Sequence, residues 1–235
     1  MHFAFTEEQA MFRDMFADFA AKEVEPRAEH MAEDEDVPAS LLKKAAMQGF
    51  LGALTPEDYG GAALDPMSYI LLLEEIAKSD MSTAMVLHVH NSLVSRAILL
   101  CGSEAQREEW LPALAEGGAI GAWALNEPDS IALGSMQAMA KADGAGYLLH
   151  GTKAWVSNAG IAGLYVIFAN APEGPTAFLA PADAAGLKRG HRDKTLGMRG
   201  VQIPPLYLND VALPAESVLG KPGGAQEVLD QVTDF

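Results

Sequence analysis

The apolar pattern of this chain changes period once, at Gly117-Gly118. Before that pair, apolar side chains recur at helical spacing. After it, short β-rich runs are separated by Gly and Pro turns. A chain built this way is α+β, with an all-α N-terminal domain followed by a β-barrel or sandwich domain. We expect the helical domain over 1–117, the β domain over 118–220 and the start of a further helix over 221–235. In the first half, Thr6 opens a helix, with Gln9 placed to complete a capping box. Phe12, Met15, Phe16 and Phe19 give that helix one apolar face. Pro26 lies near its end, and Glu33-Asp34-Glu35-Asp36 reads as a solvated loop. A second helix covers 38–48, with Leu41, Leu42, Ala45 and Ala46 inward and Gly49 as its stop. Asp65-Pro66 starts a third, with Tyr69, Ile70, Leu72, Leu73 and Ile76 as its buried stripe. Further helices are expected over 82–101 and, from the capping pair Ser103 and Gln106, up to Gly117. Strands are expected over 120–125, 147–150, 155–157, 164–169, 176–179 and 206–208.

Charge narrows the function. With 32 acidic against 16 basic residues, the net charge is −16. That argues against a nucleic-acid surface, which needs clustered Lys and Arg. The one basic run, Lys188-Arg189-Gly190-His191-Arg192-Asp193-Lys194, is either a patch for an anionic ligand or a solvated loop. Cys101 is the single cysteine, which excludes an intrachain disulfide and fits a reducing compartment. The first residues lack the basic start and apolar stretch of a secretory signal. No apolar run reads as long enough to cross a bilayer, so we expect no membrane insertion and a cytoplasmic protein.

Two stretches in the β half carry chemistry. Leu125-Asn126-Glu127-Pro128 is followed, at the interval of a neighbouring strand, by Gly151-Thr152-Lys153-Ala154-Trp155-Val156-Ser157-Asn158. If the second is extended, Trp155 and Ser157 share one face. An aromatic plane beside a hydroxyl could wall a flat redox ring and hydrogen-bond its edge. On residue type alone each has a plainer reading: Trp155 as a core tryptophan, Ser157 as a turn hydroxyl.

Taken together, these stretches resemble the flavin-binding strands of acyl-CoA dehydrogenases, whose patterns are close to A-L-T-E-P and G-T-K-x-W-I-T-N. The resemblance extends, in the family's order, over residues 5–224. Pro56-Glu57-Asp58-Tyr59-Gly60-Gly61, Glu74-Glu75-Ile76-Ala77, Val89-His90-Asn91-Ser92-Leu93, Leu196-Gly197-Met198-Arg199-Gly200 and Asn209-Asp210-Val211-Ala212-Leu213-Pro214 all take part. It leans towards short-chain or branched-chain members. It implies FAD as cofactor, an acyl-CoA thioester as substrate, α,β-dehydrogenation as the reaction and a place in fatty acid metabolism. By resemblance, Trp123, Ala124, Leu125 and Asn126 offer main-chain groups and the Asn126 side chain to the flavin edge. Trp155 flanks the ring, Val156 lies between, and Ser157 reaches the redox nitrogen. The family's C-terminal helical bundle, which covers the flavin and usually supplies the base, has no counterpart here. We therefore expect a fragment, a shortened form or a chain completed by another, and name no catalytic residue. The apolar positions Val228, Leu229, Val232 and Phe235 are expected to form an uncovered stripe that drives homo-oligomerisation or binding of a complementary chain.

Two departures from the family pattern qualify this. After Pro128 the chain reads Asp129-Ser130-Ile131-Ala132-Leu133-Gly134-Ser135 where the family has G-A-G-S-D, one residue longer. Asp129 and Ile131 bring charge and bulk where glycine would let amides approach a phosphate, with Ser130 or Ser135 as substitutes. After Arg199, the family's small hydroxyl residues are replaced by Val201, Ile203, Pro204 and Pro205. There is no dinucleotide fingerprint or P-loop. His88 and His90, two apart on a helix, do not make a metal pair. Glu74-Glu75 reads as a polar helix edge, and Glu127, by resemblance, as structural. Two rivals stay open: a catalytically silent relic or interaction module, and another flavin reaction such as oxidation by oxygen.

Overall fold

The computed structural model describes residues 4–34 and 36–233. The helical half forms as its caps dictate. Thr6 Oγ1 accepts from Gln9 N and Gln9 Oε1 accepts from Thr6 N, each at 3.1 Å, opening α1 (Glu7–Phe19). The helix does not stop at Pro26. It runs through a π turn (Ala20–Val24) and a 3-10 turn (Glu25–Arg27) into α2 (Ala28–Asp34). Pro26 stands in the first turn of that 3-10 segment, where the hydrogen-bonding pattern changes from the π turn. Glu33 and Asp34 are thus helical rather than loop residues. Phe16 meets the Phe50 ring edge-on at 5.4 Å, whereas Met15 turns out to solvent at 40% exposure. The buried stripe continues instead through Ala20 and Val24.

Helix α3 (Ala39–Met47) is stopped by Gly49, whose φ of +78° suits a residue without Cβ. Helix α4 (Pro66–Ser79) starts where Asp65 Oδ1 accepts from Met67 N at 3.0 Å and Ser68 N at 3.3 Å. Ile70 is outside the stripe, 53% exposed, and Leu71 takes its place in the core. Next come α5 (Met81–His88), a π segment (Val89–Ser95) and α6 (Arg96–Cys101) in one continuous run. Asp80 caps that run by accepting from Thr83 N at 2.7 Å, so it begins slightly earlier than expected. At 21 residues with mean hydropathy 1.4, Met81–Cys101 is long and apolar enough to cross a bilayer, contrary to the reading above. Its apolarity has a local cause, because Val86, Leu87, Val94, Ala97 and Ile98 are buried in the protein's own core. The Ser103–Gln106 capping box opens α7 (Glu104–Ala115) as expected.

Eight strands follow: β1 (Gly121–Ala124), β2 (Met139–Asp143), β3 (Gly146–Lys153), β4 (Leu164–Ala171), β5 (Gly174–Pro181), β6 (Leu187–Arg189), β7 (Leu206–Pro214) and β8 (Val218–Leu219). They form one sheet in the order β6-β7-β3-β2-β4-β5-β8, with β1 parallel to β4. Among the described residues no α-helix lies between these strands, so there is no crossover architecture. Side chains from β1, β2, β3, β4, β5 and β7 meet in a single inner core, which includes Ala122, Leu149, Tyr165, Phe178 and Val211. The opposite face of β4 and β5 packs on α6, α7 and α8. Strands β2, β6 and β8 escape sequence reading: β2 is mostly exposed and alanine-rich, and the other two are very short.

Two expectations fail here for physical reasons. Residues 155–157 are not a strand. β3 ends at Lys153, and the chain turns away with φ of +51° at Trp155 and +67° at Asn158. The apolar stripe of α8 (Ala225–Thr233) is also not left open. Val228 and Val232 are buried against the α6–β4–β5 core and Leu229 is partly buried there. Phe235 lies outside the described residues.

Candidate functional site

The segments leaving β1 and β3 come together beside the π segment of the long helix. Ala154 N donates to Asn126 O at 2.9 Å, so the two sequence motifs are hydrogen-bonded neighbours. Lys153, fully buried, donates from Nζ to Leu125 O at 3.1 Å and to Glu127 Oε1 at 2.7 Å. Glu127 also accepts from Gln137 N at 2.6 Å and Ala138 N at 2.9 Å. Burial pushes the Glu127 carboxyl up, but the Lys153 ammonium and the two amides outweigh it and hold it below its ordinary range. Desolvation holds Lys153 below the ordinary lysine range, against the pull of Glu127. The carboxylate is therefore fully engaged in holding structure, not free as a base.

The turn after β3 is fastened to the helical half by one side chain. Asn158 is buried, and its Nδ2 donates to Val86 O and Gly121 O, both at 3.1 Å. Nearby, Gly121 N donates to His90 Nδ1 at 3.1 Å, tying the π segment to the start of β1. That bond leaves the proton on Nε2, and burial lowers the His90 pKa to about 4. His90 is thus a neutral packing histidine. Among the described residues no cluster of His, Cys, Asp or Glu could hold a metal.

Within this frame the candidate residues divide. Val156 is buried in the sheet core, while Trp155 is 49% exposed and Ser157 is half-buried beside it. The expected alternation of exposure survives even though the strand does not. Trp155 Nε1, the Ser157 hydroxyl and the half-buried Asn126 amide have no intrachain hydrogen-bond partner among the described residues. An indole plane with unspent donors and acceptors beside it suits a flat heterocycle such as a flavin. Trp123 differs, because its partly buried ring packs edge-on on Phe168 at 5.0 Å, against the core. Ala124 is buried and has only backbone to offer, and the Leu125 carbonyl is already taken by Lys153.

The altered loop closes on itself. Glu127 N donates to Ser130 O at 2.7 Å, and Ser130 N returns to Glu127 O at 3.2 Å. The buried Ser130 hydroxyl is spent on Ala132 O at 3.2 Å and on Ser135 Oγ at 2.5 Å. Ser130 is therefore not free to replace the missing Gly-Ser pair. Asp129 is exposed and Ile131 is 74% exposed. The second altered segment has a structural job: Gly200 N donates to Ser82 Oγ at 3.2 Å, and Gln202 Nε2 donates to Asp36 Oδ1 at 2.7 Å. In the basic run, Arg189 is a brace, donating to Tyr165 Oη, Gly160 O and Ala162 O. What sequence reasoning missed was Lys153, Asn158 and His90 as site-building residues. Lys153 stood in plain view in Gly-Thr-Lys, but its burial against Glu127 had no local signal.

Comparison with known proteins agrees with this architecture. The family model described as acyl-CoA dehydrogenase, N-terminal domain, matches residues 6–118, and the middle-domain model matches residues 122–211. An acyl-CoA dehydrogenase of Bacillus subtilis (strain 168) is 38% identical over 224 residues, covering 93% of this chain and 59% of that protein. The mitochondrial short-chain specific acyl-CoA dehydrogenase of Homo sapiens is 36% identical, covering 93% and 54%. This chain thus spans little more than half the length of these relatives. Butyryl-CoA dehydrogenase from Megasphaera elsdenii superposes with TM-score 0.93 at 32% identity, over 100% of this chain and 64% of that one. An acyl-CoA dehydrogenase from Bacillus anthracis, solved in complex with FAD, gives TM-score 0.91 at 31% identity, covering 97% and 40%. With both family models matched in order and the same fold recovered around the site, the chain belongs to the acyl-CoA dehydrogenase family.

Proposed function

We propose that this chain is the flavin-binding portion of an FAD-dependent acyl-CoA dehydrogenase that acts on a short or branched acyl thioester. The observation that carries this reading is the half-exposed Trp155 beside Ser157 and Asn126, all with unspent polar groups, on a frame fixed by Lys153 and Asn158. FAD, when bound, supplies the electron sink for hydride leaving the β carbon of the thioester. The residues of this chain do the holding. Trp155 covers a ring face, Ser157 offers a hydroxyl to the ring edge, and the 123–126 backbone borders it, with the Asn126 amide as the side-chain contact. Val156 anchors the turn from below.

Proton removal needs a base, and Glu127 is engaged by Lys153. General base catalysis contributes ~10²–10⁴-fold, so we expect the chain alone to turn over butyryl-CoA poorly. A second copy or a complementary chain over the Trp155 surface would complete the site. The self-closed 127–135 loop favours one alternative: a module that keeps the fold but holds flavin weakly. Fluorescence titration of FAD with the parent chain and Trp155→Ala tests the proposal. Saturable binding that weakens in the variant supports it. No saturable binding, or equal binding by both, overturns it.

A further inference from the structure

The buried pair Lys153–Glu127 joins three separate segments. Lys153 closes β3, Glu127 and Leu125 belong to the exit of β1, and Gln137-Ala138 leads into β2. One ammonium bonds both Leu125 O (3.1 Å) and Glu127 Oε1 (2.7 Å), and the carboxylate bonds the amides of Gln137 and Ala138. The next residue of β3's exit, Ala154, donates to Asn126 O at 2.9 Å. The residue after that is Trp155. The backbone at 125–126 and the Trp155 turn are therefore tied together twice, by the Lys153 ammonium and by the Ala154–Asn126 main-chain bond.

A buried ion pair is an expensive way to hold a fold. Breaking one by removing a single partner destabilises strongly, yet replacing both members with neutral groups of similar size is often harmless. Stability alone does not explain why an ammonium is used here. What an ammonium does, and an apolar side chain cannot, is grip a main-chain carbonyl and a carboxylate at the same time.

We propose that Lys153 is a positioning residue for flavin: through the Leu125 carbonyl it sets the distance between the 125–126 backbone and the Trp155 turn. The inference rests on the flavin reading above. It separates two effects that a single substitution would confuse. Lys153→Met leaves a bare buried carboxylate, which damages folding. Lys153→Met combined with Glu127→Gln removes both charges, so part of the folding loss is restored. The glutamine oxygen still accepts from one of the Gln137 and Ala138 amides, its NH2 faces the other, and Leu125 O still loses the Lys153 donor.

The test compares the parent chain, Lys153→Met and the double variant by urea denaturation, by FAD titration and by amide hydrogen exchange at Ala154. Positioning predicts that the double variant recovers stability relative to Lys153→Met. It also predicts FAD binding weaker than the parent, because the 125–126 backbone and the Trp155 turn are no longer preorganised, with a displaced visible absorption band. The Ala154 amide should exchange faster while amides in β4 stay protected. If the double variant binds FAD with parental affinity and spectrum, the proposal is overturned. If the parent binds no FAD, the flavin reading fails by itself. The exchange rate at Ala154 then still decides whether Lys153 fixes the turn, an unchanged rate refuting it.

Discussion

Asn158 is the side chain whose removal most directly tests how the site is fastened. It is buried at φ +67°, with Nδ2 donating to Val86 O and Gly121 O at 3.1 Å each. Two substitutions separate its two jobs. Asn158→Gly keeps the backbone conformation accessible but deletes both hydrogen bonds. Leaving buried groups unsatisfied costs about 1–3 kcal/mol each, so a loss of about 2–6 kcal/mol is expected for the two bonds. The Asn158 Oδ1 atom, which is itself buried without a partner, is removed at the same time, so the lower end of that range is the better guide. Asn158→Ala deletes the same bonds and adds a Cβ in the left-handed region, about 1–2 kcal/mol more. Glycine's greater chain entropy when unfolded offsets about 0.5–1 kcal/mol of that difference. The expected order of stability is parent, then Asn158→Gly, then Asn158→Ala, read by urea denaturation followed by circular dichroism. An Asn158→Gly variant within about 0.5 kcal/mol of the parent would refute the claim that this amide fastens the turn to the helical half. An Asn158→Ala variant more stable than Asn158→Gly would refute the backbone part of the argument.

Two further outcomes follow from packing and charge. His90 has its pKa lowered from 6.5 to about 4 by burial, so on acidification the unfolded chain takes up the proton first. Its contribution is complete above pH 6.5 and falls as pH drops towards 4, by about 1.4 kcal/mol per unit. A His90→Gln variant should lose that component of the pH dependence of the urea midpoint, and an unchanged slope would contradict it. Val228 is buried against the α6–β5 core. Val228→Ala should therefore cost on the order of 1–3 kcal/mol, measured as a lowered thermal midpoint. No change would mean that α8 contributes nothing to the fold.

Much of the helical half was legible because its signals are local. Thr6/Gln9, Asp65-Pro66, Ser103/Gln106 and Gly49 act within four residues of themselves, and each does what its chemistry says. Errors came where tertiary packing chose among equivalent faces, as with Met15 and Ile70 turned outward. The α8 stripe was misread for the same reason: whether Val228 and Val232 find cover depends on α6 and β5, far away in sequence. The family motifs located the site, but not its geometry. Reading 155–157 as a strand missed that β3 ends when Ala154 bonds Asn126, 28 residues earlier in the chain. The side chains that build the site, Lys153, Asn158 and His90, act over separations of 26 to 72 residues. No local pattern announces bonds of that reach. Trp155 and Ser157 were identified by motif, the first half exposed and the second half-buried; Trp123 was named alongside them for its main chain, and its partly buried ring packs on Phe168.

The central claim is that the Trp155 turn, not the tryptophans generally, receives the flavin ring. The chain holds three tryptophans, Trp110, Trp123 and Trp155, each giving one indole N–H resonance in a 15N-labelled sample. Trp155 is half exposed at the site, while Trp123 is packed on Phe168 and Trp110 is partly buried against the α7–β5 core. Titrating FAD into the full chain should move or broaden the Trp155 indole resonance, assigned by its absence in Trp155→Phe, and leave the Trp110 resonance in place. A Trp155 resonance that stays fixed at saturating FAD would contradict the account.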